Sequence, residues 1–368
     1  MSSVRRLQVF AAEPNAVQLS WGRLGAGELT ARAVTGGEVA VEVTIEADGG
    51  PGTVVLDGLA PDTDYLLQVG PHSLQAHTPA PPPGRELYRF MTLSDMHLGQ
   101  DDFGLVRKMR ERDVDELHTL RGTRAALAEG RAWGAQHLVL KGDLVDRASE
   151  AEYDLLDKVL AEAGLPSEAI PGNHEVKSYR EVDHVEAFAR IGLTAPDGVR
   201  SVDLPGLRLV LVDSTEVGAH GGQIAHALPR LAEAIDGRPA LVVLHHHLLP
   251  IPVSTYWPPG VPSPMARRFV AAVAEASPAA IIASGHSHRH RAHRHGHVVV
   301  TETGSPKDHP GTWTGYVVHE GGIRQVVRRV ARPDVIAWTE HTRRAAGGAW
   351  GHWSPGTLPQ RCFRLDWP

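Results

Sequence analysis

The stretch "ALVVLHHHLLP", Ala240–Pro250, runs an apolar segment, Leu241 to Leu244, straight into three histidines. An apolar run of this length reads as a buried strand. Its end then carries groups that must be hydrogen-bonded, charged or metal-bound. Taken alone, a strand entering a polar loop explains it equally well. Working outward, the same arrangement recurs. "FMTLSDMHLG" ends in Asp95 and His97, and "LVLKGDLVD" in Asp143 and Asp146. "EAIPGNHE" supplies Asn173, His174 and Glu175, and "IIASGHSH" supplies His286 and His288.

Between these runs lie helical patterns: "LRGTRAALAEGRAW", "EAEYDLLDKVLAEAG", "LPRLAEAI" and "PMARRFVAAVAEA". Strands alternating with helices predict an α/β sheet. In such sheets ligands bind beyond the carboxyl ends of the strands. Five polar strand ends are therefore expected to converge on one place. "YVVHEGGIRQVVRRV" predicts a hairpin with a Gly-Gly turn. The first part of the chain differs. "AVQLSW", "ELTARAV", "EVAVEVTIE" and "TVVLDGL" are short alternating runs broken by Gly, Pro and Asp, the pattern of a β-sandwich. The expected division is a small all-β sandwich at residues 1–80, a stiff Pro-rich linker at 81–87, an α/β domain at 88–330 and a C-terminal extension at 331–368. That extension carries Trp338, Trp350, Trp353 and Trp367, expected to pack on the α/β domain or a second subunit, or to form a lid.

Composition narrows the function. The 368 residues are 42% hydrophobic, enough for a full core, and the formal net charge is −6. That charge disfavours a nucleic-acid partner but not a small anionic substrate. A single cysteine, Cys362, excludes an intrachain disulfide framework and a cysteine zinc site. The start lacks an apolar signal segment, and no run nears the roughly 18 apolar residues of a membrane span. A cytoplasmic location is expected. Histidine is the anomaly, with 22 residues against 5% aromatics.

Carboxylate, imidazole and amide oxygen together suit zinc, manganese, iron or cobalt. In an extended segment residues i and i+2 point to one side. Asp95 with His97, and His286 with His288, could thus reach one cavity. Gly142, Gly172 and Gly285 precede ligand positions, where the backbone must turn sharply. Each motif alone has an ordinary explanation: a solvated pair, a turn at Gly172-Asn173, a helix cap at Asp143 or Asp146. Together, in this order, they point to a binuclear metal site.

The series "DMH", "GDLVD", "GNHE", "HHH" and "GHSH" resembles the calcineurin-like metallophosphoesterases, relatives of purple acid phosphatases and cyclic-nucleotide phosphodiesterases. The resemblance covers about Tyr88 to Arg329. "LDGLAPDTDYLLQV" resembles the corner of a fibronectin type III-like domain, with Tyr65 tying its hydroxyl to the preceding loop. The resemblance implies a two-sheet metallophosphoesterase sandwich flanked by helices. It implies two transition-metal ions: Asp95, His97 and His288 on the first, Asp143 bridging both, and Asn173, His286 and one histidine of the triplet on the second. His245 is the first polar residue of its run and the preferred ligand over His246 and His247, although Leu248 stands where a proline is common. The resemblance also places His174 against the leaving group and Asp146 behind a ligand or the backbone. Glu175 is a supporting or helix-entry residue, and Arg147 could touch phosphate. Purple acid phosphatases carry a ligand tyrosine after the bridging aspartate. Here Tyr153 lies too far along, on a predicted helix, so the match is closer to the phosphodiesterase-like branch.

The implied function is hydrolysis of a small phosphate ester, mono- or diester, by a metal-bridging hydroxide. The alternatives are a nuclease, a phospholipid or sugar-diphosphate hydrolase, or a binding protein with a vestigial metal site. Three side features stand apart. "HSHRHRAHRHGH" reads as a basic exposed connection or a further metal site. In the Pro-rich loop Pro252–Pro264, Tyr256 and Trp257 could stack on an aromatic group or merely pack. His220 belongs to a flexible loop.

Overall fold

The structure is a computed structural model that describes residues 6–104, 108–111, 114–249 and 258–368. Tyr256, Trp257 and the first part of their Pro-rich loop lie outside the described residues.

Two six-stranded sheets form the centre. One has Glu86–Leu93, Leu138–Lys141 and Ser167–Ile170 in parallel, continued by the antiparallel Thr312–His319, Gly322–Arg329 and Phe363–Asp366. In the other, Leu207–Val212, Ala240–Val243, Ala280–Ser284 and Val298–Glu302 run parallel, with the antiparallel strands Val199–Leu204 and Arg291–His295 at its edges. The two-residue period of a strand decides which core each side chain joins. Leu241 and Val243 face the core between the sheets, with Ile281, Ala283, Val139 and Phe90. Val242 and Leu244 face the opposite core, under the helix Ser263–Ala276. Leu138 and Leu140 point to the helices His118–Ala132 and Glu150–Ala163. The result is a helix–sheet–sheet–helix stack. Each fully buried Val, Leu or Ile contributes about 1.5–3 kcal/mol, so the central strands are held by their own apolar runs.

Helix Glu150–Ala163 begins where its sequence says it should. Ser149 and Glu152 form a reciprocal capping box, and Gly164 closes the last turn in the left-handed region. The hairpin differs in detail from its prediction. His319 pairs with Gly322, so the two turn residues are Glu320 and Gly321, not Gly-Gly.

Residues 8–78 form a sandwich of a three-stranded and a four-stranded sheet. Its core contains Val17, Leu19, Trp21, Leu56, Tyr65 and Leu67. The Tyr65 hydroxyl accepts from Ala60 N at 2.9 Å, which ties the corner to the preceding loop as expected. The sandwich meets the α/β core through buried polar groups. Arg329 donates to Ser20 Oγ at 2.7 Å, Gln18 donates to Arg329 O at 2.8 Å, and Arg361 donates to Phe10 O at 2.9 Å. Among the described residues no helix is long and apolar enough to cross a membrane.

Glu13 anchors this junction. Its buried carboxylate accepts from Trp133 Nε1 at 2.8 Å and from Arg328 Nε at 2.6 Å. Removing one partner of a buried charged pair strands the other. Glu13→Ala should therefore lower the unfolding free energy by about 3 kcal/mol in urea denaturation, and Glu13→Gln by less. Wild-type stability in Glu13→Ala would show that the junction is not held there.

Candidate metal centre

The carboxyl ends of the parallel strands in both sheets meet at one edge. The loops beyond them stay in register: Asp95 N donates to Gly142 O at 3.0 Å, His97 N to Asp143 O at 2.9 Å and Gly285 N to His245 O at 3.0 Å. Here the strands stop and left-handed turns begin. Asp95, His97, Asp143, His286 and His288 all have positive φ, between 46° and 63°. The paired side chains therefore converge through turns, not through the extended i, i+2 geometry expected from the sequence. Asp and His are among the few non-glycine types enriched in this region, so the residues that can ligate can also make the turn.

The glycines before them serve two ends. Gly142 has φ +81° and makes a turn itself. Gly172 and Gly285 are needed for close approach. A Cβ on Gly172 would stand 2.4 Å from Asp143 N, and one on Gly285 would stand 2.6 Å from Asp95 Oδ2.

The donor atoms form two adjoining groups around Asp143. Asp143 Oδ2 is 3.3 Å from His245 Nε2 and 3.5 Å from His97 Nε2. On one side His288 Nε2 lies 3.4 Å from Asp95 Oδ1, and the donors of Asp95, His97 and His288 fall within 4.8 Å of one another. On the other side His245 Nε2 lies 3.1 Å from His286 Nδ1 and 3.3 Å from Asn173 Oδ1. The second ring nitrogens have backbone partners that leave these atoms free to ligate. His245 Nδ1 is 2.8 Å from Lys141 O, and His286 Nε2 is 3.1 Å from Pro259 O. Among the described residues, neither nitrogen of the buried His97 has a hydrogen-bond partner. A buried polar group is normally satisfied, so a cation fits this set. Burial opposes protonation of His245, but the Asp143 carboxylate outweighs it and raises the pKa to about 9.

Of the triplet, His245 faces Asp143. His246 hydrogen-bonds Ser214 through Nδ1 at 2.9 Å, although its ring also adjoins His245 and His286. His247 is buried beside His286, with the ring centroids 5.8 Å apart.

His174 sits at the edge of the first group. Its backbone N donates to Asp143 Oδ1 at 2.8 Å, and its ring lies edge-on to His97 with centroids 4.2 Å apart. Its Nδ1 is 2.8 Å from Asp146 O and 3.3 Å from Asp146 Oδ1, with Lys177 Nζ at 2.6 Å. Burial would raise the Asp146 carboxyl, but His174 and His97 pull it well below the usual carboxylate range. Gln100 Nε2 donates to Asp146 Oδ1 at 3.0 Å. His174, Asp146, Arg147, Lys177 and Tyr179 line a pocket of about 550 Å³. Arg147 stands 75% exposed at its rim.

Glu175 is the buried support. Its carboxylate accepts from the N–H groups of Asp143, Leu144, Val145 and Gly172 at 2.7–3.0 Å. Burial and the Asp143 charge push its carboxyl up to about 7, against the pull of these donors.

Sequence reasoning missed Lys177, Gln100, Lys141, Lys307 and Asp308. Lys177 carried a signal, three residues beyond His174. Gln100, three residues beyond His97, and Lys141, two before Asp143, stood as close in sequence, whereas Lys307 and Asp308 had no such neighbour because they reach the site from a separate loop. In the histidine-rich run, His290 is buried against Gly304 N and Thr312, while His293, His295 and His297 are exposed on or beside an edge strand. Among the described residues it adds no group that could hold a metal.

Residues 88–290 match the family model described as calcineurin-like phosphoesterase. Over 176 residues the chain is 30% identical to a probable cyclic nucleotide phosphodiesterase of Psychrobacter arcticus, covering 46% of this chain and 62% of that protein. The chain spans about three fifths of the length of the curated relatives it matches. A purple acid phosphatase from yellow lupin (Lupinus luteus) seeds is similar over 90% of this chain and 72% of its own, at 12% identity and a TM-score of 0.43. The fn3 domain of a human collagen alpha-1(XX) chain is similar over 22% of this chain and 88% of its own, at 32% identity and a TM-score of 0.18.

The role of Glu175 is open to direct measurement. Glu175→Ala strands four buried N–H groups, each costing about 1–3 kcal/mol. The variant should unfold at clearly lower temperature and take up less metal, and Glu175→Gln should recover part of both. An unchanged melting temperature and metal content in Glu175→Ala would remove its supporting role.

Proposed function

Because the chain belongs to the calcineurin-like phosphoesterase family, we propose that it is a binuclear metal-dependent hydrolase of small phosphate esters, a phosphodiesterase or phosphomonoesterase. The observation that carries this is the position of Asp143 Oδ2, within 3.5 Å of both His97 Nε2 and His245 Nε2. One carboxylate thus adjoins two ligand groups. Asp95, His97 and His288 would hold one metal ion, and Asn173, His245 and His286 the other, with Asp143 shared. The probable cyclic nucleotide phosphodiesterases among its relatives support a diester substrate.

Two bound ions would clamp phosphoryl oxygens and lower the pKa of water at the site. The remaining work falls to side chains. With Nδ1 accepting from Lys177 Nζ, the His174 proton would sit on Nε2, from which it would pass to the leaving oxygen. Lys177 and Arg147 supply positive charge at the pocket beside it. The pocket volume, about 550 Å³, suits a ligand of small-nucleotide size.

Purified protein loaded with manganese or zinc should hydrolyse simple phosphodiesters or monoesters, and chelation should abolish this. Asp143→Ala should lose both ions in elemental analysis, because its carboxylate is shared. Full metal content and activity in that variant would refute the shared role, and no hydrolysis of any activated ester by the loaded wild type would refute the function.

His174→Ala should keep both metals. General acid catalysis contributes about 10²–10⁴-fold, so the loss should be large for alkoxide leaving groups and should shrink for nitrophenolate, which departs without a proton. Equal losses for both would point to phosphate positioning instead. Loss of a metal would make His174 a ligand.

A further inference from the structure

We infer that the C-terminal segment is a working part of the metal centre: Asp308 and Trp350 orient His288 toward the ion it would hold with Asp95 and His97. This rests on the metal reading above. Neither residue lies within 88–290, the stretch that matches the family model.

The chain of contacts is short. His288 Nδ1 lies 2.8 Å from Asp308 Oδ1, and Trp350 Nε1 donates to Asp308 Oδ2 at 3.0 Å. The Asp308 side chain is 1% exposed. Each carboxylate oxygen therefore has its own donor, one fixing the imidazole and one fixing the carboxylate. With its Nδ1–H given to Asp308, His288 keeps the Nε2 lone pair, and that atom is the one 3.4 Å from Asp95 Oδ1. A carboxylate behind a ligating histidine sets its tautomer and ring orientation and raises its basicity.

The loop that carries Asp308 is itself clamped. Ser305 Oγ donates to Asp95 O at 2.7 Å, behind another candidate ligand of the same ion. Trp338 Nε1 donates to Lys307 O at 2.7 Å, and His309 N donates to Thr342 Oγ1 at 2.9 Å. Trp338 and Thr342 belong to the helix Pro333–Thr342, and Trp350 opens the short helix Trp350–Trp353. Lys307 also donates to Gln100, which holds Asp146 behind His174. One loop, gripped by the C-terminal helices, thus supports both the His288 and the His174 sides.

Packing alone is the competing explanation, since Trp350 is half-buried with its ring centroid 5.9 Å from that of Phe103. Trp350→Phe keeps an aromatic ring but removes the donor together with part of the indole, so unfolding must be read beside metal affinity to separate the two. The test uses the full chain, stripped of metal and titrated with zinc, with bound metal counted by mass spectrometry and unfolding followed in parallel. Trp350→Phe and Asp308→Asn should each weaken one of the two ions about 10–100-fold and leave the other unchanged, at near wild-type melting temperature. The double variant should lose little more than Asp308→Asn alone, because Trp350 acts through Asp308. Wild-type affinity for both ions in Trp350→Phe would overturn the inference even if Asp308→Asn fails to fold. So would a parallel fall in both affinities and in melting temperature, the mark of a packing role. A wild-type chain that takes up no zinc would remove the metal reading itself, and this inference with it.

Discussion

The centre depends on one buried carboxylate that is not itself among the ligand donors. Glu175 gathers N–H groups from two separate strand ends, Asp143 to Val145 on one and Gly172 on the other. These are the turns that carry Asp143 and Asn173. Buried N–H groups must be paired, and these four lie beyond the strand Leu138–Lys141 and the strand Ser167–Ile170. The carboxylate closes that deficit. It also locks the two loops to each other, which is why Asn173 and Asp143 can face one point from different strands.

The site gathers charge that the fold would otherwise expel. Asp95, Asp143, Glu175 and Asp308 are all buried, the first two as candidate ligands and the others in hydrogen bonds to ligand-bearing segments. A buried charge is tolerated only when paired and hydrogen-bonded. Buried cations answer part of this. Lys141 ends a strand of the first sheet and donates across to Ser284 O of the second at 2.9 Å. Burial lowers its pKa to about 7, though Asp95 pulls it back up. Lys307 is likewise buried, with Asp308, Asp146, Asp95 and Asp143 as neighbouring charges. The nitrogens of His97, without a hydrogen bond among the described residues, lie inside this arrangement, where a metal ion would satisfy the carboxylates and the imidazoles together.

The segments at either end of the chain are built into the core. The sandwich engages it through Glu13, Gln18 and Ser20, whose partners include the guanidinium groups of Arg328 and Arg329. The last strand, Phe363–Asp366, completes the first sheet beside Gly322–Arg329. Of the C-terminal tryptophans, Trp338 is buried and Trp350 reaches Asp308, while Trp353 stands 56% exposed.

The sequence by itself determined the two levels that local chemistry controls. Apolar runs of period two and helical patterns announced the α/β layers and the β-sandwich, because strand and helix periodicities can be read one segment at a time. Polar residues after the apolar runs marked Asp95, His97, Asp143, Asn173, His174, His245, His286 and His288 as one group, because parallel strands share their carboxyl ends. Tertiary structure alone decided how they converge. The turns at Asp95, His97, Asp143, His286 and His288 are left-handed, and that conformation is sustained by contacts from distant segments. It also decided which of His245, His246 and His247 faces Asp143, a matter of one ring reaching Lys141 O across sheets. Asp308, Lys307 and Trp350 act through hydrogen bonds that span loops far apart in the chain. No local pattern records such a contact, because its partner is chosen by packing and not by spacing.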